Sequence, residues 1–80
     1  MNQYLHQFAT RLKHLREEKN MTLRALAEKT GISKSSLSNY ENATDDPALS
    51  VVITLANYFD EDLSYLTGET STRRLKKIAN

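Results

Sequence analysis

Cysteine is absent from these 80 residues, which excludes a disulfide and any cysteine-based zinc site. A cysteine-free chain suits a reducing compartment. The two histidines, His6 and His14, have no carboxylate cluster between them, so no metal site is expected. Also missing is any apolar run near the roughly 20 residues that a membrane span requires. The opening MNQYLHQFATRL has neither the basic start nor the apolar block of a signal peptide. A soluble cytoplasmic protein is the expectation. No segment alternates with period two, so strands are not expected. Nor is there a cysteine nucleophile, a glycine-rich phosphate loop or an HExxH motif. So short a chain has little room for a concave pocket. Catalysis has no support, and no cofactor is implied.

A chain of this length forms one small domain, near the size where a single hydrophobic core barely suffices. With disulfide and metal set aside, pairing with a second copy is the remaining source of extra stability. Charge is also unevenly placed. Residues 1–42 carry seven bases against four acids, residues 43–69 carry six acids and no base, and the tail adds Arg73, Arg74, Lys76 and Lys77. A net charge of only +1 therefore hides a basic front, an acidic middle and a basic end. Such segregation is expected when one surface meets a polyanion and another faces away.

What the chain does have is helical spacing. Leu5, Phe8, Leu12 and Leu15, with Ala9 beside them, define a first helix ending near Glu18 or Lys19, where Asn20 suits a left-handed end. Thr22 caps a second helix through Lys29, with Leu23, Leu26 and Ala27 inward. Gly31 supplies the positive φ of a sharp turn and Ile32 anchors it. Ser33 caps a third helix to about Glu41, with Leu37 and Tyr40 inward. Pro47 suits the first turn of a fourth helix whose inward set reads Leu49, Val52, Ile53, Ala56 and Phe59. Asp60 to Asp62 cap a short fifth helix carrying Leu63, Tyr65 and Leu66, closed by Gly68. The expected fold is an all-α, compact five-helix bundle over residues 1–68. Residues 69–80 form a basic helix or tail: a dimerisation element, an arm on DNA or a connector.

The most telling stretch is TLRALAEKTGISKSSLSNYEN, residues 22–42. Two short helices joined by a three- to four-residue turn make a helix-turn-helix, whose second helix enters the DNA major groove. Ser35, Ser38, Asn39 and Asn42 recur at i, i+3, i+4 and i+7, with Lys34 at the stripe's edge. Asn can hold adenine through N6 and N7, Ser can bond several bases, and Lys reaches guanine or phosphate. Ser and Asn are indifferent helix formers, whereas a merely solvated helix gains from Glu, Lys or Ala.

On RLKHLREEKN, MTLRALAEKTGIS, SLSNYEN, DPALSVVITLANYF and DLSYLTGE, residues 11–67 resemble the Cro and lambdoid-repressor type of helix-turn-helix, also called XRE-like. The resemblance implies a five-helix DNA-binding domain that acts as a two-fold dimer. It implies base contacts from Lys34, Ser35, Ser38 and Asn39, and phosphate contacts from Thr22, Arg24, Ser33, Asn42 and Thr44. It also implies a buried salt bridge between Arg16 and Glu41. Leu23 stands where the family often has Gln, and Ala43 where it usually has Gly. The loop Ala43–Asp46 is acidic where relatives are often basic. Two carboxylates near phosphates imply modest affinity per domain and greater reliance on pairing.

The function implied is a sequence-specific transcriptional regulator, a repressor on operator DNA, from a bacterium, phage or mobile element. Double-stranded DNA and a second copy are the expected partners. The dimer interface is expected at Leu63, Tyr65, Leu66, Leu75 and Ile78. The competing reading keeps the fold but binds protein, as an antirepressor or antitoxin would; Leu23 and the acidic loop favour it. Whether the chain is full length or the N-terminal domain of a longer protein stays open.

Overall fold

Caps and helix breakers decide where each segment starts and stops. In the computed structural model, which describes residues 3–70, they delimit α1 (Gln3–Glu18), α2 (Leu23–Thr30), α3 (Lys34–Glu41), α4 (Leu49–Phe59) and α5 (Leu63–Thr67). Among the described residues there is no strand. Asn20 is left-handed at φ 55°, as expected after α1. Thr22 Oγ1 accepts from the Ala25 amide at 3.0 Å, which satisfies one of the orphan donors at the start of α2. That helix runs one residue past the expected end. Thr30 Oγ1 donates to the Leu26 carbonyl at 2.8 Å and accepts from the Ile32 amide at 3.3 Å, which holds the last turn closed. Gly31 then turns the chain with φ 79°.

The core draws on every helix. Phe8, Leu12 and Leu15 of α1 meet Leu26 of α2, Leu37 and Tyr40 of α3, Val52, Leu55, Ala56 and Phe59 of α4, and Tyr65 and Leu66 of α5. Helix α1 packs against both α3 and α5, and α2 packs against α3. Phe8 and Tyr40 meet edge to face at 6.2 Å, a geometry that aromatic quadrupoles favour.

Three expectations about the second half are corrected. Pro47 precedes α4 instead of entering its first turn: Ala48, with ψ 154°, is the N-cap. Leu49 and Ile53 are 68% and 40% exposed, while Leu55, absent from the expected face, is fully buried. Ser50, Thr54 and Asn57 recur at i, i+4 and i+7 and form a polar outer stripe with Ile53 at its edge, and Val52, Leu55, Ala56 and Phe59 lie on the opposite, buried side. Lastly, Tyr65 and Leu66 are buried in the chain's own core. A five-residue helix has few groups with which to attach itself, and these two do that work, so of the dimer contacts expected on α5 only Leu63 is exposed. Leu75 and Ile78 lie outside the described residues.

Arg11 completes the attachment of α5. Its guanidinium lies 4.5 Å from the Tyr65 ring centre and donates to the carbonyls of Tyr65 and Thr70, giving the helix end a cation where the dipole favours one. At Gly68, φ is 88°, which favours glycine, and an added Cβ would also force the Gln7 side chain to move.

Arg16 and Glu41 form the expected bridge. Nε donates to Oε2 at 2.7 Å and Nη2 to Oε1 at 2.9 Å. Nη1 donates to the Met21 carbonyl at 2.7 Å. The side chains are only 13% and 7% exposed. Hydrogen bonding to Glu41 raises the Arg16 pKa against the opposing cost of burial, so the guanidinium stays charged throughout the accessible pH range. Removing one member strands its partner, which costs about 3–5 kcal/mol, whereas an apolar replacement of both is often nearly neutral. Glu41→Ala is therefore expected to lose stability in that range, and Arg16→Met with Glu41→Leu to lose much less, as read by urea denaturation. Equal losses in both proteins would contradict this account.

Candidate nucleic-acid interface

Helix α3 has few of the features that stabilise an isolated helix. It is KSSLSNYE, with no acidic residue in its first turn and no basic residue in its last. Lys34 at its start opposes the helix dipole. Tertiary anchoring and capping compensate. Leu37 and Tyr40 are buried beneath it, and Ser33 Oγ accepts from the Ser36 amide at 3.0 Å. The opposite face is consequently free of packing duties. Lys34, Ser35 and Asn39 are exposed and Ser38 is half-buried. With Leu23 from α2, these four line one shallow cleft of about 290 Å³.

The structure thus brings together the four residues expected to contact bases. It also adds Leu23, expected on the inward face of α2 and in a place where the family often has Gln. Leu23 is the first residue of α2 and half-buried against the core, so it supplies an apolar edge to an otherwise polar cleft. The two-helix spacing around Gly31 was the available signal, since it places the start of α2 beside α3.

The end of α3 is a Schellman turn. The Ala43 amide donates to the Tyr40 carbonyl at 3.2 Å and the Thr44 amide to the Asn39 carbonyl at 2.9 Å, the two bonds that define the motif. Ala43 takes the left-handed position with φ 59°, so the turn forms despite lacking glycine. It folds the acidic loop back onto the helix, where Asn39 Nδ2 donates to Asp45 Oδ2 at 3.1 Å.

The residues expected to meet phosphate differ in what they can still offer. Arg24 and Asn42 are exposed. Thr22 uses its oxygen as a cap acceptor, leaving its hydroxyl proton to donate. Ser33 and Thr44 already donate theirs, to Ser36 Oγ at 2.9 Å and to the Asn39 carbonyl at 3.1 Å. Their hydroxyls must rotate away from these partners to reach a phosphate. The histidines lie elsewhere: both are exposed on α1, with His14 Nε2 at 2.9 Å from Glu18. Among the described residues no group of side chains could hold a metal ion.

Residues 12–66 match the family model HTH_3, described as helix-turn-helix. The chain belongs to the HTH_3 family. The HTH-type transcriptional regulator YobD of Bacillus subtilis is 38% identical over 63 residues, covering 79% of this chain and 56% of YobD. ImmR of the same organism, another HTH-type transcriptional regulator, is 36% identical over 59 residues, 74% of this chain and 46% of that protein. The HTH_3 chain thus spans about half the length of these curated relatives. Among solved structures, an HTH_3 family transcriptional regulator from Vibrio cholerae superposes with a TM-score of 0.74 at 27% identity, covering 84% of this chain and 38% of the other. The restriction-modification controller protein C.AhdI from Aeromonas hydrophila gives 0.71 at 27% identity, with 78% of this chain and 94% of C.AhdI covered. The five-helix, all-α architecture expected from the sequence is therefore that of HTH_3 regulators.

In this HTH_3 domain Ala43 is the strained point of the helix end. Left-handed backbone costs a residue with a Cβ about 1–2 kcal/mol, while glycine loses roughly 0.4–1 kcal/mol through its freer unfolded chain. Relief of strain is the larger effect. Ala43→Gly is expected to stabilise the domain by up to about 1 kcal/mol, seen as a raised midpoint in thermal or urea unfolding; a lowered midpoint would contradict it.

Proposed function

We propose that this HTH_3 chain is a sequence-specific DNA-binding transcriptional regulator, a cytoplasmic repressor that places α3 in the major groove of operator DNA as a homodimer. The observation that carries the reading is the outer face of α3, polar and exposed while the inner face is clamped by Leu37, Tyr40 and the Arg16–Glu41 bridge. A groove reader needs that combination of a presented edge and a fixed orientation. The names of the relatives, transcriptional regulators and a restriction-modification controller, point the same way.

In this reading Lys34, Ser35, Ser38 and Asn39 contact bases. Thr22, Arg24 and Asn42 hold phosphates, joined by Ser33 and Thr44 once their hydroxyls turn. Pairing sets two α3 helices about 34 Å apart, one duplex turn, and bound dimer blocks polymerase. For the dimer contact, the exposed apolar groups Leu49 and Ile53 on α4 and Leu63 on α5 replace the buried Tyr65 and Leu66. Asp45 and Asp46 place negative charge near the backbone and weaken each single domain.

Three measurements test this. Affinity for duplex DNA should fall steeply with salt, with a log–log slope of about −0.9 per phosphate neutralised. No detectable binding to random-sequence duplexes at low salt would instead favour a protein partner, such as an antirepressor or antitoxin pair. Asn39→Ala should erase preference at one base position, at a cost of about 1–3 kcal/mol, while Asn42→Ala should weaken all sequences alike. Matching, sequence-independent losses would reject the assigned roles. Finally, Ile53→Asp should shift the sedimentation mass from dimer to monomer; a wild-type chain already monomeric at high micromolar concentration would exclude pairing of the isolated chain.

A further inference from the structure

Asp45 was expected to repel phosphate, but its position gives it a further task. Thr44 returns to the Asn39 carbonyl through both its amide and its hydroxyl. This doubly held turn sets the Asp45 carboxylate beside the Asn39 side chain, with Oδ2 at 3.1 Å from Nδ2. A carboxylate only accepts hydrogen bonds, so Asn39 must face it with the NH2 end of its amide. Rotating that amide by half a turn would set two acceptor oxygens against each other. We infer that Asp45 is a positioning residue that fixes the polarity of the Asn39 amide and thereby its choice of base.

The chemistry of the amide makes this compatible with reading. Nδ2 carries two protons and Oδ1 two lone pairs. One proton is held by Asp45, which leaves the other, with Oδ1, for the N7 acceptor and N6 donor of adenine. Adenine recognition requires that polarity, whereas a freely flipping Asn presents donor and acceptor in either order. Asp45 thus works in two directions: its charge lowers affinity for every duplex, and its hydrogen bond sharpens discrimination at one base pair. A small domain on a long polyanion benefits from both, because weaker nonspecific binding leaves more protein for the preferred site.

The proposal rests on α3 reading DNA, and the two can fail separately. Operators selected from a random duplex pool by the wild-type chain give the base preference at the position that Asn39→Ala erases. Asp45→Ala should tighten binding to random duplex while reducing that preference about fivefold, the low end of what a bidentate contact carries. Asp45→Asn, uncharged and able to donate as well as accept, should also tighten binding and reduce the preference, because it can meet either end of the Asn39 amide. In the Asn39→Ala background, Asp45→Ala should leave base preference unchanged. Full preference retained in Asp45→Ala would overturn the proposal and leave α3 as the reader. The free protein supplies an independent reading by NMR: Asp45→Ala should shift the Asn39 side-chain amide resonances, and Asp45→Asn should shift them less. Unmoved resonances would remove the hydrogen bond, and the proposal with it, even for a chain that bound no DNA.

Discussion

The Arg16–Glu41 bridge is the constraint on which the interface depends. It joins the end of α1, the Met21 carbonyl in the following loop and the last residue of α3 through three guanidinium bonds. Desolvating such a pair costs several kcal/mol per ion, and the mutual attraction offsets this only with good geometry. The benefit here is positional. Hydrophobic contacts at Leu37 and Tyr40 fix how deeply α3 sits but tolerate rotation and sliding; a two-pronged bond at its end does not.

Everything functional on α3 follows from that placement. A sequence rich in Ser and Asn is a poor isolated helix, and eight residues are too few to nucleate one alone. The segment is helical because Ser33 caps it, the core holds it and Glu41 ties it down. Once so held, its outer side chains need serve no structural purpose. The Schellman turn extends the same logic into the loop, at the expense of strain at Ala43, and returns Asp45 to Asn39. A loop that is acidic in charge is, in geometry, joined to the exposed polar face of α3.

Elsewhere the small size of the domain dictates the solutions. Helix α5 is only five residues long, and it attaches through Tyr65, Leu66 and the Arg11 guanidinium, with Gly68 allowing close approach to Gln7. Those demands consume apolar groups that could otherwise pair two copies. The large apolar side chains left exposed on α4 and α5 are Leu49, Ile53 and Leu63, which the core of the domain does not need.

Much of this was legible in the residues themselves, for local reasons. Thr22, Gly31, Ser33 and Gly68 mark helix ends because capping and positive φ depend on one residue and its immediate neighbours. The polar stripe of α3 and the inward Leu37 and Tyr40 follow from helical spacing where apolar and polar residues alternate clearly. Spacing on α4 does mark an outer stripe, Ser50, Thr54 and Asn57, and opposite it Leu55 rather than Leu49 or Ile53 is buried. Spacing could not foresee that Tyr65 and Leu66 are consumed internally, because burial depends on what α1 and α4 leave open. Nor could residue types reveal that Asn39 and Asp45 touch, since that contact exists only because a left-handed Ala43 folds the loop back. The sequence by itself determined the helices, their caps and the polar outer face of α3; the tertiary structure alone decided which apolar groups remain outside and that the Asp45 carboxylate meets the Asn39 amide, because both depend on how distant or turned segments meet.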